Sequence, residues 1–363
     1  MTVSNEIRVI QLIDSLEPGG AERMAVTIAN SLSNTVSFSG LVVTRKEGSL
    51  LKTIHSKVSF FNIDKKSTFD VNALFRLRYF VKKNKVQIIH AHSSSYFFAI
   101  LLKLTLPSLK IFWHDHLGNR PNLKYSNRVL KLVSILFDGV FVVNKELEQW
   151  ALGNLKTANV CFLPNFIEDS PKEELSTFLN GEKGKRIVML ANLHSPKNHI
   201  LALNSFIKSK IAEKGWTLHF VGKDFLDNYS DELKKTIVNN NLENSIFILG
   251  SCSDVSHVLS QSTVGILTST YEGFPVTLLE YGRARLLTIT SDVGYCSQVI
   301  RNGETGICFE NSNEGALVKI FEEIENNKIE ISRLADNLNI FVSENYTAKV
   351  VVNQILSKYT SIT

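Results

Sequence analysis

No stretch of this chain stays apolar for the roughly 18 to 20 residues that a bilayer crossing needs. Its most apolar internal runs are interrupted by charge, 97–106 by Lys103 and 129–143 by Lys131 and Asp138. The first residues, Met1 to Glu6, are polar and pass straight into the apolar run Ile7–Ile13, without the basic start and small-residue cleavage site of a secretory signal, so none is expected. Cysteine is scarce. Cys161, Cys252, Cys296 and Cys308 form no close pair and no metal-ligand spacing, which argues against a disulfide framework or zinc module and for reduced, mostly packed thiols in a cytosolic protein. There is no Asp-x-Asp pair, no internal repeat and no low-complexity tract. Without a helix-turn-helix, zinc or RNA-binding motif, nucleic acid is not an expected partner.

What is present begins with length: 363 residues, 44% of them hydrophobic, exceed one ordinary core and predict two domains of roughly 170 to 190 residues. The formal charge of +5 is unevenly spread, since residues 1–170 hold 21 Lys and Arg against 13 Asp and Glu, and the remainder 19 against 22. The basic residues of the first half gather in 76–85 and at Lys124, Arg128 and Lys131, among aromatic and aliphatic residues. Helices of that composition rest on anionic lipid headgroups, and a solvated helix face is the competing reading.

Short apolar runs alternate with longer helical patterns, the signature of parallel α/β sheets. Strands are expected at Ile7–Ile13, Ser39–Thr44, Val58–Asn62, Val86–His90, Ile111–His114, Gly139–Val143 and Val160–Leu163 in the first half. The second half offers Arg186–Ala191, Thr217–Val221, Ile246–Leu249, Val264–Leu267, Leu286–Thr290 and Gly306–Phe309. Helices are expected between them, as at Ala21–Leu32 and Val71–Lys83, and a linker at Asn165–Pro171 followed by polar residues up to Lys185.

The segment Ser269–Glu280 carries the most chemistry, with Glu272 and Glu280 on either side of Gly273-Phe274-Pro275. Gly273 lets the backbone approach a ligand, and Pro275 suits the first helical position. A helix starting there turns its free N–H groups and positive dipole end toward an anion, for which a diphosphate is the natural occupant. Glu280 falls about one and a half turns inside that helix, so the two carboxylates reach different hydroxyls of one extended ligand. Carboxylates repel phosphate, which makes the ribose and the sugar on either side of it their targets. A loop-to-helix junction with solvated glutamates is the competing reading.

With this spacing the segment resembles the Glu-x7-Glu motif of glycosyltransferase family 4, retaining enzymes of GT-B architecture, in which two Rossmann-like domains face each other across a cleft. The resemblance implies a sugar contact for Glu272 and a ribose contact for Glu280. It implies an acceptor-binding domain over 1–168, a donor-binding domain over 169–345 and a last helix, 346–363, returning to the first domain. The Glu17–Arg23 turn resembles the family's Gly-Gly-Ala-Glu-Arg loop, which places Gly19 and Gly20 beside the donor. It is not a dinucleotide fingerprint, because a third glycine is absent.

Trp113–Gly118 ends a strand, where ligand-binding groups collect. His116 matches the family's histidine beside the anomeric centre better than His114, the second choice, and a structural histidine is the alternative for one of them. The His-x-His spacing suits a metal, but no third ligand is evident, and no metal site is expected. His90-Ala91-His92-Ser93 resembles a family stretch that shapes the acceptor side or packs structurally. In Ala191–His199, Lys197 fits the phosphate-binding lysine, a charge suited to a leaving diphosphate. Asn192 stands where the family carries arginine, leaving one unit of leaving-group stabilisation to another residue, for which Arg283 and Arg285 are candidates. Gly250 to Asp254 would border the nucleobase.

The resemblance implies transfer of a sugar from a nucleotide diphosphate to an acceptor hydroxyl with retention, without cofactor or metal. The acceptor is expected to be a saccharide or lipid-linked saccharide of bacterial surface polysaccharide synthesis, and the location the cytoplasm, at the inner face of the plasma membrane if the basic helices bind lipid. The departure at Asn192 motivates an alternative, a non-catalytic nucleotide-sugar-binding partner of another transferase; a GT-B epimerase fits less well, because it needs different cleft acids.

Overall fold

Each expected apolar run becomes a strand in the computed structural model, which describes residues 6–117, 120, 126–168 and 175–361. Gly118, Lys124 and residues 169–174 of the expected linker lie outside the described residues. The chain divides into two compact units, residues 1–168 with 346–363, and residues 169–345.

The first unit contains β1 (Arg8–Ser15), β2 (Phe38–Lys46), β3 (Ser59–Asn62), β4 (Ile88–His92), β5 (Lys110–Asp115), β6 (Gly139–Val142) and β7 (Val160–Phe162), in the order β3-β2-β1-β4-β5-β6-β7. The second contains β8 (Arg186–Leu190), β9 (Thr217–Val221), β10 (Ile246–Gly250), β11 (Val264–Leu267), β12 (Leu287–Ser291) and β13 (Ile307–Phe309), in the order β10-β9-β8-β11-β12-β13. All pairings are parallel. Helices cover both faces of a parallel sheet, and the central strands are accordingly buried almost throughout, as in β9 and β12. In each sheet the strand order reverses once, between β1 and β4 and between β8 and β11; ligands collect at the carboxyl ends of strands beside such a switch point.

Local sequence explains the helices that bear on function. Val71–Lys83 buries Ala73, Leu77 and Val81 at four-residue spacing, and the Asp70 carboxylate caps it by accepting from the Ala73 N–H at 2.9 Å. Its outer face exposes Phe75 and Tyr79 beside Lys82 and Lys83, with Phe69 exposed just upstream. Two residues of the basic stretch are tied to the unit's own structure, Arg76 while staying exposed. The Arg76 guanidinium donates to the Ile63 carbonyl at 2.7 Å, and Phe80 stacks on Phe61 at 4.8 Å. The last helix, Ala348–Thr360, buries Val351, Val352, Ile355 and Tyr359 and belongs to the first unit, where Thr347 bridges to Ile167.

Candidate functional site

At the switch point of the second unit, the loop after β8 and the loop after β11 are laced together. The Thr268 hydroxyl donates to the carbonyls of Lys197 (3.2 Å) and Asn198 (2.9 Å), and the Thr270 N–H donates to the Pro196 carbonyl at 2.9 Å. That lacing brings Lys197 Nζ to 2.6 Å from Glu272 Oε1, which also accepts from the Ser269 hydroxyl at 2.6 Å. Lys197 keeps 26% of its side chain exposed and Glu272 10%, so the pair is partly open to a ligand. Ser269 was not singled out as a site residue; its place three residues before Glu272 is the only sequence signal for its role.

The helix that follows, Val276–Arg283, is held to the sheet by its own residues. The Leu190 N–H donates to the Tyr281 hydroxyl at 2.7 Å, and that hydroxyl donates to the Ile266 carbonyl at 3.1 Å. Tyr281 lies flat on β11, where a Cβ on Gly265 would sit 2.6 Å from its ring. Glu272 and Gly273 are backed by the turn before Tyr295. Gly294 has φ +55°, and a Cβ there would lie 1.8 Å from the Glu272 carbonyl oxygen, so only glycine fits. Glu280 is the fifth residue of the helix and half-buried.

Several expectations change. Pro275 is the N-cap, in extended conformation, and the helix starts one residue later than expected. The Phe274 side chain is buried against Tyr295, rings 4.8 Å apart, which leaves its backbone for any ligand contact. Asn192 accepts the Lys223 N–H on its side-chain oxygen at 3.0 Å, an amide tie between the ends of β8 and β9 that a guanidinium cannot make. Arg285 pairs with Asp336 at 3.1 Å beyond the far end of its helix, and Arg283 lies in that helix's last turn, so neither stands at the helix N-terminus beside Glu272. Asp254 is buried and accepts from the N–H groups of Ser176 (2.8 Å) and Thr177 (2.7 Å) and from the Thr177 hydroxyl, bonds that hold its carboxyl well below the usual range. Its carboxylate anchors the entering chain rather than bordering a base. Gly250, at φ +70° with open space above its Cα, remains able to do so.

In the first unit, the Gly19-Gly20 turn leads from β1 into the helix Gly20–Leu32. Gly19 is extended at φ −154° and caps the helix, and a Cβ on Gly20 would meet open space. Neither glycine is demanded by its backbone; Gly20 leaves open space at the switch point, whereas a Cβ on Gly19 would run into the Glu22 carboxylate. At the ends of β4 and β5, side chains two apart share a face, which assembles His90, His92, His114 and His116 into one cluster. His90, His92 and His114 offer nitrogens within 4.8 Å of one another, so the third imidazole that sequence spacing did not reveal does exist. The two His-x-His runs were its signal, but only strand pairing makes them neighbours.

All of those nitrogens but His114 Nε2 are engaged, with one another, with His116 and with two residues that sequence reading passed over, Gln11 and Tyr359. His90 Nε2 lies 3.1 Å from His114 Nδ1, and His90 Nδ1 lies 2.7 Å from the Tyr359 hydroxyl. His92 Nδ1 lies 2.9 Å from His116 Nε2, and His92 Nε2 lies 2.9 Å from Gln11 Oε1. Burial, reinforced by neighbouring imidazoles, pushes His90 down to about 3 and His92 and His114 well below the ordinary value; burial alone takes His116 to about 3. His114 is wholly buried and His116 half-buried, which makes His116 the better placed of the two to meet a ligand.

Two parallel-sheet domains, each with polar groups gathered at its switch point, have the layout of the GT-B fold. Residues 18–170 match Glycosyltransferase Family 4 and residues 171–339 match Glycosyl transferases group 1, and the chain belongs to this glycosyltransferase group. It is 26% identical to the Escherichia coli O-antigen biosynthesis glycosyltransferase WbnH, over 93% of this chain and 96% of that one. It is 25% identical to the Erwinia amylovora amylovoran biosynthesis glycosyltransferase AmsD, over 78% and 81%. The Anabaena protein HepE, solved in complex with UDP, superposes with a TM-score of 0.80 at 15% identity, over 98% of this chain and 100% of that one, a likeness of fold.

Proposed function

We propose that this glycosyltransferase moves a sugar from a nucleotide diphosphate to a hydroxyl of a lipid-linked saccharide, with retention, in bacterial surface polysaccharide synthesis. The observation that carries the reading is the Lys197–Glu272 pair at the β8/β11 switch point, followed by a helix that bears Glu280. In this reading Glu272 binds the transferred sugar and Glu280 the ribose, with Gly250 at the base. Lys197 and the N–H groups around Gly273 and Phe274 take the diphosphate, so no divalent cation is needed. His116, Gly19 and Gly20 contribute from the first unit. The acceptor oxygen attacks the anomeric carbon on the face from which the diphosphate leaves, its proton passing to a phosphate oxygen, so one glycosidic bond forms as one breaks. The WbnH and AmsD relatives support the polysaccharide setting, and UDP in HepE makes uridine the first nucleotide to test.

Among the described residues no helix is long and apolar enough to cross a membrane. We assign the exposed face of Val71–Lys83 to the cytoplasmic surface of an anionic bilayer. A shallow groove of about 560 Å³, lined by Phe75, Arg78, Tyr79, Lys82 and Lys83, combines apolar and basic groups there.

A screen of nucleotide diphosphate sugars by thermal shift, followed by transfer to a lipid-linked acceptor with the product anomer read by NMR, tests this reading. A stabilising donor whose anomeric configuration survives in the product supports it, and an inverted product contradicts the retaining mechanism. Transfer abolished by a chelator and restored by magnesium contradicts the metal-free site.

A further inference from the structure

Hydrogen bonds decide which nitrogen of a neutral imidazole carries the proton. Gln11 lies on β1, in register with His90, and is wholly buried. Its side-chain oxygen can only accept, so His92 carries its proton on Nε2, 2.9 Å away, and a lone pair on Nδ1. His116 Nε2, 2.9 Å from that lone pair, therefore donates. What remains on His116 is the Nδ1 lone pair, a buried atom with no partner among the described residues.

From this sequence of donors and acceptors we infer that Gln11 is a positioning residue, holding His116 in the Nε2–H tautomer so that the buried Nδ1 is kept as a hydrogen-bond acceptor for a substrate group that enters beside it. A parallel line runs from Tyr359 through His90 to His114, whose ring centre is 4.0 Å from that of His116, so the reading ring is braced from both sides. A lone pair attracts an O–H and repels a phosphate oxygen. His116 thus reads a sugar hydroxyl, not the diphosphate. That half of the inference rests on the glycosyl transfer proposed above; the tautomer does not.

The tautomer is read on the ligand-free full chain, with isotope-labelled histidine and long-range proton–nitrogen correlation spectra at neutral pH, His116→Gln providing the assignment. Nε2 of His116 is expected to be protonated and Nδ1 bare; a proton on Nδ1 overturns the inference. Gln11→Met keeps the side chain's length but removes the acceptor. A buried N–H without a partner costs more than a buried lone pair, so His92 moves its proton to Nδ1 and His116 follows, now presenting Nδ1–H. Transfer then falls roughly three- to tenfold, the value of one hydrogen bond. An unchanged His116 tautomer in Gln11→Met contradicts the positioning role, and a switched tautomer with undiminished transfer contradicts the hydroxyl contact. Should Gln11→Met not fold, the wild-type spectrum alone decides. Absence of transfer by the wild type is a separate failure, that of the proposed reaction.

Discussion

The two switch points use the same topology for opposite electrostatics. In the second unit, the loops after β8 and β11 hold a lysine and a glutamate in contact at 2.6 Å, both partly exposed. In the first, the ends of β4 and β5 hold four histidines that burial keeps neutral. In the proposed reaction the diphosphate side needs fixed charge, whereas the side proposed to read hydroxyls needs directed, uncharged donors and acceptors. Charge also tolerates some looseness; neutral hydrogen bonds do not, and the first site is correspondingly the more deeply packed.

Removing the charge should show the largest effect. Lys197→Ala is expected to slow transfer on the order of 100-fold or more, because a cation facing the leaving group counts most in the transition state. Steady-state rates within twofold of wild type would place the leaving group elsewhere.

Acid separates the two sites next. His90, His92 and His114 are buried with folded-state values below the ordinary 6.5. On acidification the unfolded chain takes up protons before the folded one, so their stability is fully present above about pH 6.5 and is lost as pH falls toward about 3. The expected cost is on the order of 1 kcal/mol per imidazole for each unit below 6.5, visible as a falling melting temperature between pH 7 and 5. A melting temperature constant across that range would mean the cluster is charged or solvated.

How far this contrast was legible in the sequence depends on what each site is built from. All 13 strands among the described residues, seven and six, appear as apolar runs of the right length, because parallel strands buried on both faces leave a strong compositional trace. The second site sits largely in one segment, 269–280, whose roles follow from local chemistry; its partner Lys197 needed only the neighbouring loop. The first site is spread over β1, β4, β5 and the last helix, with His90 and Tyr359 separated by 269 positions in the sequence. Nothing local marks Gln11 or Tyr359 as partners of histidine, and pairing of β4 with β5 is what turns two His-x-His runs into one cluster. Asp254, Arg76 and Arg285 make tertiary contacts that local sequence does not show: Asp254 is buried against Ser176 and Thr177, while Arg76 and Arg285 stay exposed and bond Ile63 and Asp336.

A smaller effect probes the ribose end of the charged site. Glu280→Ala should weaken binding of the bare nucleotide diphosphate about tenfold, the loss of a hydrogen bond to a charged group, while leaving phosphate contacts in place. Unchanged affinity by calorimetry removes the ribose role. Smaller still is the change expected at the exposed face of Val71–Lys83. Lys82→Ala with Lys83→Ala should reduce binding to anionic vesicles several-fold at low salt, at about 1 kcal/mol per residue that faces the lipid, and leave transfer to a water-soluble acceptor intact. Wild-type protein that ignores anionic vesicles at low salt contradicts the membrane assignment.

The most direct test of where the donor sits is a titration of UDP, and then of other nucleoside diphosphates, followed by backbone amide NMR of the full chain. The account predicts that shifts concentrate at the end of β8, Ala191–Lys197, at 268–275 and in the first turns of the helix Val276–Arg283, and that Lys197→Ala diminishes them. Shifts confined to residues 6–168, or none with any nucleoside diphosphate, would contradict it.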